Sequence, residues 1–239
     1  MIMSALYSKL IDELITKISF MEKGDKLPSE RQLCKDYNVS RTTVRNAVGS
    51  LVNSGMLYQI QGKGTFVREQ NRQNLSNYYS FTEQTKKNGK TPKSIVIKFD
   101  IKEANSDLKK LLKLEKDDKI IQFDRLRLAD DIAMMYETTI IPYNRFSTIN
   151  KQLLSKKALY DIFDELFNTK IYQVKESFSV SSLEDEKAQA LNIMSKSPCL
   201  KIQRESYDIE NIMIEYTISY ARADKFYYET SYNPQSLIK

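Results

Sequence analysis

Two arginines in one predicted β-strand offer the clearest local chemistry of this 239-residue chain. The run from Ile120 to Leu128 alternates so that Arg125 and Arg127 share one face of the strand, about 7 Å apart. Guanidinium groups at this spacing suit a phosphate or a carboxylate, because each group can donate two parallel hydrogen bonds. The alternative is an exposed edge strand with ordinary surface arginines, and the pair alone leaves both interpretations open.

The residue types that are missing exclude several kinds of site. The chain has no histidine, which excludes imidazole metal ligands and catalytic triads that use histidine. Its two cysteines, Cys34 and Cys199, lie far apart and form no metal or redox spacing pattern. They are predicted to be reduced thiols partly in a core. We therefore expect no metal and no cofactor, and the composition argues against a hydrolase.

A second candidate for binding chemistry is a short basic helix that begins after Ser40. The apolar residues from Val44 to Val52 follow helical spacing and must face a core. The opposite face is polar and basic, and it starts at the N-terminal end of the helix, where the backbone dipole favours an anion. Such a helix can enter the major groove of DNA, although a merely solvated face is the alternative. This face consists of Arg41, Thr42, Arg45, Asn46 and Gly49.

The N-terminal residues also supply the elements that would position this helix. Residues 5–18 carry leucines and isoleucines at helical spacing and predict a first helix. Ser29 is predicted to cap a short second helix, with Gln32 placed to complete a capping box, and a tight turn then leads to the basic helix. A strand, a glycine turn around Lys63 and a second strand follow at 56–67. Because all these elements occur together, a merely solvated basic face becomes the weaker interpretation.

Three segments of this region resemble the winged helix-turn-helix of the GntR family of transcription regulators: 27–31 (LPSER), 39–45 (VSRTTVR) and 62–67 (GKGTFV). The resemblance implies that the chain binds double-stranded DNA through the basic helix, the start of the second helix and the hairpin. Gly49 is a departure, because glycine inside a helix costs about 1 kcal/mol relative to alanine. The predicted DNA-binding residues are Ser29, Arg31, Ser40, Arg41, Thr42, Thr43, Arg45, Asn46, Gly62, Lys63 and Thr65.

The chain is predicted to contain two domains. Residues 1–69 form the first, a polar segment at 70–77 reads as a linker, and residues 78–235 form the second. The formal net charge is +6 with a pI of about 9.0, and half of that charge falls in residues 1–70. A basic balance favours a polyanionic partner, although the sum of charges is weak support by itself.

An internal repeat organises the second domain. Residues 107–125 and 186–204 each read as a helix, a short connection and a strand, and each copy continues through a polar turn into a strand with a glutamate, Glu137 or Glu215. Units of this kind build an α+β domain with an antiparallel sheet, and a cleft between the two halves is a reasonable place for a ligand. The aligned pairs are Leu112 with Leu191, Leu114 with Ile193, Ile121 with Leu200, Phe123 with Ile202 and Arg125 with Arg204.

Several motifs of this domain are similar to the UTRA effector domain of the HutC subfamily of GntR regulators. The resemblance implies a chorismate-lyase-like antiparallel-sheet domain that binds a small effector and forms a homodimer. The predicted fold of the whole chain is therefore α+β, a winged helix-turn-helix followed by this effector domain. The motifs are 80–83 (SFTE), 125–130 (RLRLAD), Glu137 with Pro142, 159–160 (LY), and 215–216 (EY) with Arg222 and Asp224.

The same resemblance implies which residues bind the effector. In family members that bind sugar phosphates, an aromatic–threonine pair, two arginines and a tyrosine grip the phosphate, and Glu137 and Glu215 would take sugar hydroxyls or an amine. Two positions depart from the pattern: Ala158 replaces a common phosphate-binding serine, and Ala221 replaces a common sugar-lining tyrosine. The predicted residues are Phe81, Thr82, Arg125, Arg127 and Tyr160 for the phosphate, together with Glu137, Glu215, Tyr220 and Arg222.

These features predict a cytoplasmic, dimeric repressor that a small anionic effector, such as a sugar phosphate, releases from DNA. Residues 1–17 lack the features of a signal peptide, and no apolar stretch is long enough to cross a bilayer. The operator is expected to be palindromic, because two copies would place their recognition helices on half-sites about 34 Å apart. A same-family regulator of a non-sugar ligand and a chorismate-lyase-like enzyme are the alternatives, and the absence of a visible nucleophile–base pair argues against the enzyme.

Overall fold

The computed structural model describes residues 5–68 and 81–226. The predicted linker at 70–77 and both ends of the predicted second domain, 78–80 and 227–235, lie outside these residues. In the part of the chain that is described, no helix combines the length and the apolar character that crossing a membrane requires.

The N-terminal part consists of helices followed by an antiparallel hairpin, in the order that the sequence predicts. The hairpin pairs Leu57 with Val67 and Ile60 with Gly64, so it is short and its turn is tight. The elements are α1 (Ala5–Ser19), α2 (Glu30–Tyr37), α3 (Arg41–Asn53), β1 (Leu57–Ile60) and β2 (Gly64–Val67).

Side-chain caps set where α2 and α3 begin. Ser29 Oγ accepts a hydrogen bond from the backbone N–H of Gln32 at 3.2 Å, and Ser40 Oγ accepts one from the backbone N–H of Thr43 at 3.1 Å. Each bond satisfies a backbone donor of the first helical turn. The side chain of Gln32 differs from the predicted capping box: its amide donates to Asp36 at 2.6 Å, because Asp36 lies one turn further along the same helix face.

A hydrophobic core fills the space between these helices and the hairpin. The apolar side of α3 is buried as the helical spacing predicts, and each such side chain contributes about 1.5–3 kcal/mol relative to an exposed one. The polar side of α3 is therefore held toward solvent. The buried residues are Leu10, Ile11, Leu14 and Ile18 of α1, Leu33 of α2, Val44, Ala47, Val48 and Leu51 of α3, and Leu57 and Val67 of the hairpin.

The second part is built on a six-stranded antiparallel sheet with the strand order β3-β4-β5-β8-β7-β6. Helices connect or precede the strands, so the α+β class predicted from the sequence is confirmed. The elements are α4 (Phe81–Lys87), β3 (Pro92–Glu103), α5 (Ser106–Leu112), β4 (Lys119–Ala129), β5 (Ile132–Pro142), α6 (Tyr143–Phe146), α7 (Lys151–Lys156), α8 (Leu159–Phe167), β6 (Gln173–Ser182), α9 (Asp185–Ala190), β7 (Pro198–Tyr207) and β8 (Met213–Arg222).

The sheet consists of two similar halves, as the internal repeat predicts. Each half is a strand, a helix and then a hairpin: β3, α5, β4 and β5 in the first, and β6, α9, β7 and β8 in the second. The last strands of the halves pair with each other in the middle of the sheet. There Thr139 and Thr217 are direct cross-strand neighbours, and their hydroxyl oxygens lie 2.9 Å apart.

Strand alternation divides the residues of β4 between two packed faces of the sheet. Ile121 and Phe123 are fully buried in a cluster with residues of α6, α7 and α8. Ile120, their neighbour in sequence, is buried in a different cluster with residues of α5. Arg125 and Arg127 continue the alternation of Ile121 and Phe123, so they lie on the face that α8 covers.

The turn between β7 and β8 joins the sheet to the N-terminal helices. Ile209 in this turn is 3 % exposed and belongs to the hydrophobic core of α1, α2 and α3. Asp208 beside it is buried, accepts a hydrogen bond from Nη1 of Arg145 at 2.7 Å, and accepts two more from the backbone N–H groups of Glu210 and Ile212. The turn is thus fixed in conformation while its apolar side chain is inserted into the other domain.

A polar contact on α1 adds to this junction. The two carboxylate oxygens of Asp12 each lie 3.0 Å from Nζ of Lys170, and Tyr172 Oη lies 3.5 Å from the nearer oxygen. Burial, together with the Asp12 carboxylate, raises the pKa of Tyr172 above its ordinary value, so Tyr172 remains a hydrogen-bond donor at neutral pH.

We expect Ile209→Ala to lower the free energy of unfolding by about 2–4 kcal/mol, because it removes a buried side chain from a packed core. Ile212→Ala is the matched control, since Ile212 lies in the same turn but is 37 % exposed and should cost less than about 1 kcal/mol. Urea unfolding followed by circular dichroism measures both changes. Equal losses in the two variants would show that Ile209 does not anchor the domains.

Candidate DNA-binding surface and effector cavity

Helix α3 presents one buried face and one exposed polar face. Val44 is buried while Arg41 and Arg45, on the other side, are exposed. Thr43 is half-buried, with its hydroxyl 2.8 Å from that of Ser40, so it completes the cap and points less toward solvent. The predicted residues of α2, α3 and their caps that are exposed are Ser29, Arg31, Ser40, Arg41, Thr42, Arg45 and Asn46.

Two local features leave the polar face of α3 open to a partner. Nε of Arg45 lies 3.8 Å from Oε2 of Glu30, and 78 % of the Arg45 side chain is exposed, so this ion pair is weak and does not sequester the guanidinium group. Gly49 has no heavy atom within 4 Å of the position that a Cβ would take. Packing inside the chain therefore does not require glycine at this position.

The hairpin β1–β2 carries an exposed lysine on a turn that needs glycine. Gly62 and Gly64 have φ angles of +74° and +126°, which side-chain-bearing residues rarely adopt. A Cβ on Gly64 would also lie 2.8 Å from Cε of Lys26. Gly62 and Lys63 are exposed, and Thr65 is half-buried. The glycines thus place Lys63 at the tip of a hairpin whose backbone can approach a DNA groove closely.

A cavity of about 290 Å³ lies between the sheet and helices α4 and α8. It receives side chains from strands of both halves of the repeat, as the predicted cleft requires. The structure brings most of the predicted effector-binding residues together here. Those that line the cavity are Phe81, Thr82, Arg125, Arg127, Glu137, Tyr160 and Glu215.

One end of the cavity holds the arginine pair. Arg125 and Glu137 are direct neighbours on β4 and β5, and Nη2 of Arg125 lies 3.0 Å from Oε2 of Glu137. Nη1 of Arg127 lies 3.7 Å from the same oxygen, and its Nη2 donates to Thr82 Oγ1 at 2.9 Å. The Arg127 guanidinium also lies over the Phe81 ring, 4.9 Å from its centroid. The interpretation of these arginines as surface residues is wrong, because each is only 5 % exposed.

The arginine pair carries more positive charge than its surroundings neutralise. Burial lowers the pKa of Arg127 to about 10, and the neighbouring Arg125 adds to this effect. Burial tends to raise the pKa of Glu137, but the guanidinium groups of Arg127 and Arg125 bring it below its ordinary value. Arg127 and Glu137 are therefore both charged at neutral pH. Nε of Arg125 and Nε of Arg127 are buried without a hydrogen-bond partner among the described residues, so the chain leaves part of the hydrogen-bonding capacity of this pair unsatisfied.

Another part of the cavity holds Glu215, which accepts hydrogen bonds from three hydroxyl groups. Tyr160 and Ser206 donate to its Oε2 at 2.8 and 2.6 Å, and Thr217 donates to its Oε1 at 2.7 Å. Burial and the nearby Glu215 raise the pKa of Tyr160, so Tyr160 keeps its proton. The Tyr160 hydroxyl therefore donates to Glu215. The sequence predicts instead that Tyr160 belongs to the phosphate site at the arginine pair.

Sequence reasoning missed four charged residues of the cavity, Glu83, Asp161, Glu176 and Arg204, of which the last two form an ion pair. Nε of Arg204 on β7 donates to Oε1 of Glu176 on β6 at 2.8 Å, and its Nη1 donates to Tyr160 Oη at 3.2 Å. Both residues line the cavity. The signal for Arg204 was present, because the internal repeat aligns it with Arg125. Glu176 had no such signal, because β6 lies outside the aligned segments.

Two predicted ligand residues, Tyr220 and Arg222, do not line the cavity. On β8 they alternate with Glu215 and Ser219, which do line it, and so they point to the opposite face of the sheet. The Tyr220 ring lies under Nζ of Lys187 at 4.9 Å. Arg222 pairs with Asp224 at 2.7 Å and donates to two backbone carbonyl groups. These contacts give both residues structural roles on that face.

The two alanines that depart from the family pattern lie close to the cavity. Ala158 lines it at the N-terminal end of α8, where no side chain caps the helix. The first backbone N–H groups of α8 can therefore serve an anion. Ala221 is fully buried against Phe81 and Met135, so it packs beneath the cavity and does not contact its contents.

Comparisons with known proteins agree with this architecture. Residues 5–67 match the family described as bacterial regulatory proteins of the gntR family, and residues 87–227 match the UTRA domain. The HTH-type transcriptional repressor NagR of Bacillus subtilis (strain 168) is 31 % identical over 224 residues, which cover 92 % of each chain. A probable fructoselysine utilization operon transcriptional repressor of Escherichia coli (strain K12) is 26 % identical over 218 residues, or 91 % of this chain and 88 % of that one.

A solved structure has the same fold. PhnF from Mycobacterium smegmatis superposes with a TM-score of 0.59 at 22 % sequence identity, over 94 % of this chain and 99 % of that one. The family matches span most of the chain and cover the basic helix with its hairpin and all of the cavity except its α4 residues. The chain therefore belongs to the GntR family and carries the UTRA effector domain of the HutC subfamily: it is a transcription regulator and not an enzyme.

Proposed function

We propose that this regulator is a homodimeric repressor that binds a palindromic operator and releases it when a small anionic effector, a sugar phosphate, enters the cavity. Access to chromosomal DNA requires a cytoplasmic location. The observation that carries the proposal is the buried arginine pair, which lines a cavity of ligand size and carries more positive charge than Glu137 neutralises.

The anion is best matched by a phosphate group. Arg125 and Arg127 offer two guanidinium groups on one strand face, and Thr82 adds a hydroxyl beside Arg127. The uncapped start of α8 at Ala158 adds backbone donors and the positive end of a helix dipole. A phosphate has enough acceptor oxygens to use donors that converge from several directions. Because Glu137 is the one carboxylate among the described residues that pairs with the two arginines, an anion also restores the charge balance.

The remainder of the effector is best matched by a polar molecule the size of a sugar. A cavity of about 290 Å³ lies near the lower limit of small-molecule sites, which is roughly 300 Å³. Glu137 and Glu215 offer carboxylate oxygens to hydroxyl groups or an amine. Relatives point the same way, since one is a probable repressor of a fructoselysine utilization operon.

The DNA is best matched by the surface that α3 and the hairpin form. Exposed Arg41 and Arg45 can donate to bases or phosphates in the major groove, and Lys63 can reach the backbone or the neighbouring minor groove. Phosphate contacts of this kind dominate affinity and make it fall as the salt concentration rises.

Effector binding would act on DNA binding by shifting the dimer between two arrangements of its recognition helices. One arrangement fits half-sites about 34 Å apart, and the other misses them. The effector favours the second only as far as it binds that state more tightly. This coupling needs a physical connection between cavity and α3, which the turn holding Ile209 supplies.

A second candidate effector is an anion with an apolar body, such as an acylated or amino-acid-derived compound. It is favoured by the apolar side chains that share the cavity with the charged groups, which include Met135, Phe178, Ile202 and Phe226. A thermal-shift screen that contains sugar phosphates and acylated anions separates the two candidates, because a ligand of the folded state raises its melting temperature.

We expect Arg45→Ala to weaken operator binding at least about tenfold, because a base or phosphate contact of an arginine contributes about 1–3 kcal/mol. Lys102→Ala is the matched control, since it removes one exposed positive charge from β3, far in sequence from α3. Gel-shift titration on an operator that the wild-type protein selects from random DNA measures both. The assignment of α3 as the recognition helix fails if the two variants bind equally well.

We expect Arg127→Lys to lower effector affinity about tenfold or more while operator binding persists, because lysine cannot donate two parallel hydrogen bonds. Arg222→Lys makes the same chemical change outside the cavity and should leave effector affinity within about twofold. Calorimetry with the sugar phosphate that gives the largest thermal shift measures both variants. An equal loss of effector affinity in both variants would place Arg222 in the effector site. It would contradict the assignment of Arg222 to the opposite face of the sheet.

We expect Glu137→Gln to raise the affinity for inorganic phosphate about tenfold, because it removes the carboxylate that competes for both guanidinium groups, and a factor of ten corresponds to about 1.4 kcal/mol. Without phosphate the same variant should melt at a lower temperature, because two buried cations lose their counter-ion. Glu103→Gln, at an exposed position of β3, is the control. Unchanged phosphate affinity in Glu137→Gln would contradict an anion site at the arginine pair.

A further inference from the structure

A second ion cluster in the cavity joins three strands and α8. Nε and Nη2 of Arg204 lie 2.8 and 2.7 Å from Oε1 of Glu176, and Nη1 donates to Tyr160 Oη at 3.2 Å. Tyr160 in turn donates to Glu215 at 2.8 Å. One guanidinium group is therefore linked to two carboxylates, directly to Glu176 and through a tyrosine to Glu215.

The charges of this cluster are shielded from water. The side chains of Arg204 and Glu176 are 19 % and 11 % exposed, and Glu215 is 2 % exposed. Two carboxylates that share such a site remain ionised together only if a cation compensates them. Burial tends to lower the pKa of Arg204, but Tyr160, Glu176 and Glu215 raise it above its ordinary value, so the compensating charge is permanent.

The two carboxylates have acceptor capacity that the chain leaves unused. Each carboxylate oxygen can accept about two hydrogen bonds. Among the contacts of the described residues, Oε1 of Glu215 accepts only from Thr217, and Oε2 of Glu176 accepts none while Oε1 serves Arg204. These free positions lie on residues that line the cavity.

The cluster differs in net charge from the arginine pair. Arg125, Arg127 and Glu137 sum to one positive charge, whereas Arg204, Glu176 and Glu215 sum to one negative charge. An anion is attracted to the first group and repelled by the second. The second group instead suits hydrogen-bond donors, that is, the hydroxyl or ammonium groups of a ligand whose anion is held by the first.

We propose that Glu176 and Arg204 extend the polar end of the effector cavity that Glu215 begins into a polar subsite: Arg204 is a positioning residue that opposes the charge of both carboxylates and holds them in place to accept hydrogen bonds from the effector. The proposal rests on the effector-binding function proposed above. It assigns the recognition of the non-anionic end of the effector to the second half of the repeat, where Arg204 occupies the position that Arg125 has in the first half.

Other charged groups face the cluster from the elements packed around it. Asp161 on α8 and Glu83 on α4 line the same cavity, as do Glu137 on β5 and the arginine pair on β4. Glu137 is paired with Arg125 and Arg127. Arg204 is bonded directly to Glu176 and, through Tyr160, to Glu215. Removing the Arg204 charge therefore affects these two carboxylates first.

The role of Arg204 is tested without a ligand by measuring the melting temperature from pH 6 to pH 8. In Arg204→Met the two carboxylates lose their cation, and the folded protein retains a proton that the unfolded chain releases. Stability is then present at low pH and declines as pH rises, by about 3 °C per pH unit for one proton. The wild type has no histidine to titrate in this range and should show no such decline. Arg204→Lys, which restores the charge, should behave as the wild type does.

The double variant Arg204→Met/Glu176→Gln is the decisive control. It removes one of the two competing carboxylates, so the decline with pH should disappear although the packing defect remains. A loss of stability in Arg204→Met that is independent of pH, or one that the double variant does not correct, would overturn the charge role of Arg204.

Calorimetry with three probes tests whether the subsite contacts the effector. Inorganic phosphate serves as the probe of the arginine pair alone, and glucose 6-phosphate and glucosamine 6-phosphate add hydroxyl and ammonium donors. We expect at least one sugar phosphate to bind tenfold more tightly than inorganic phosphate, and Glu176→Gln to abolish that advantage without weakening inorganic phosphate. The subsite is overturned if neither sugar phosphate exceeds inorganic phosphate, or if Glu176→Gln weakens all three equally.

The same measurements separate this inference from the proposed function. If inorganic phosphate and both sugar phosphates fail to bind, the sugar-phosphate function is contradicted and the subsite is contradicted with it. If they bind through the arginine pair but Glu176→Gln changes nothing, only the polar subsite is contradicted.

Discussion

A buried excess of positive charge is the constraint around which the effector domain is arranged. Arg125 and Arg127 are almost fully enclosed, and Glu137 is the carboxylate that opposes them directly. Removing guanidinium groups from water is costly unless opposite charge and hydrogen bonds compensate them, and here the compensation is incomplete. The domain is therefore complementary to an anion at this position, and the sheet and α8 hold that arrangement in place.

The duplicated architecture explains how one small domain presents two chemically different ends to a ligand. The halves meet where Thr139 pairs with Thr217, and each half delivers an arginine and a glutamate to the same cavity. The first half has a second arginine, Arg127, and so carries net positive charge. The second half has a second glutamate, Glu176, and carries net negative charge. Divergence at a few positions has turned a repeated framework into a polarised cavity.

Local signals in the sequence predicted much of this structure. Caps at Ser29 and Ser40, glycines at the hairpin turn and the alternation of β4 are each decided by residues close together in the chain. The partners of Tyr160 could not be predicted in this way, because its hydroxyl meets Glu215 only after α8 has packed on the sheet. The family pattern predicted Arg222 as a ligand residue. Its spacing from Glu215 on β8 already places it on the opposite face of the sheet. Arg204 could have been predicted, because the internal repeat aligns it with Arg125 and so places it on the same face of the sheet.

The β7–β8 turn has a consequence for how the specificity of such a regulator can change. Glu215 on β8 lines the cavity, and Ser206 on β7 donates a hydrogen bond to its carboxylate. The same two strands lead within a few residues to Ile209 in the core of the DNA-binding domain. Substitutions on β7 or β8 that admit a new ligand also alter the seat of the recognition helix. β4 and α4 also line the cavity but do not lead into this turn, so these elements are where a biosensor for another compound should be engineered first.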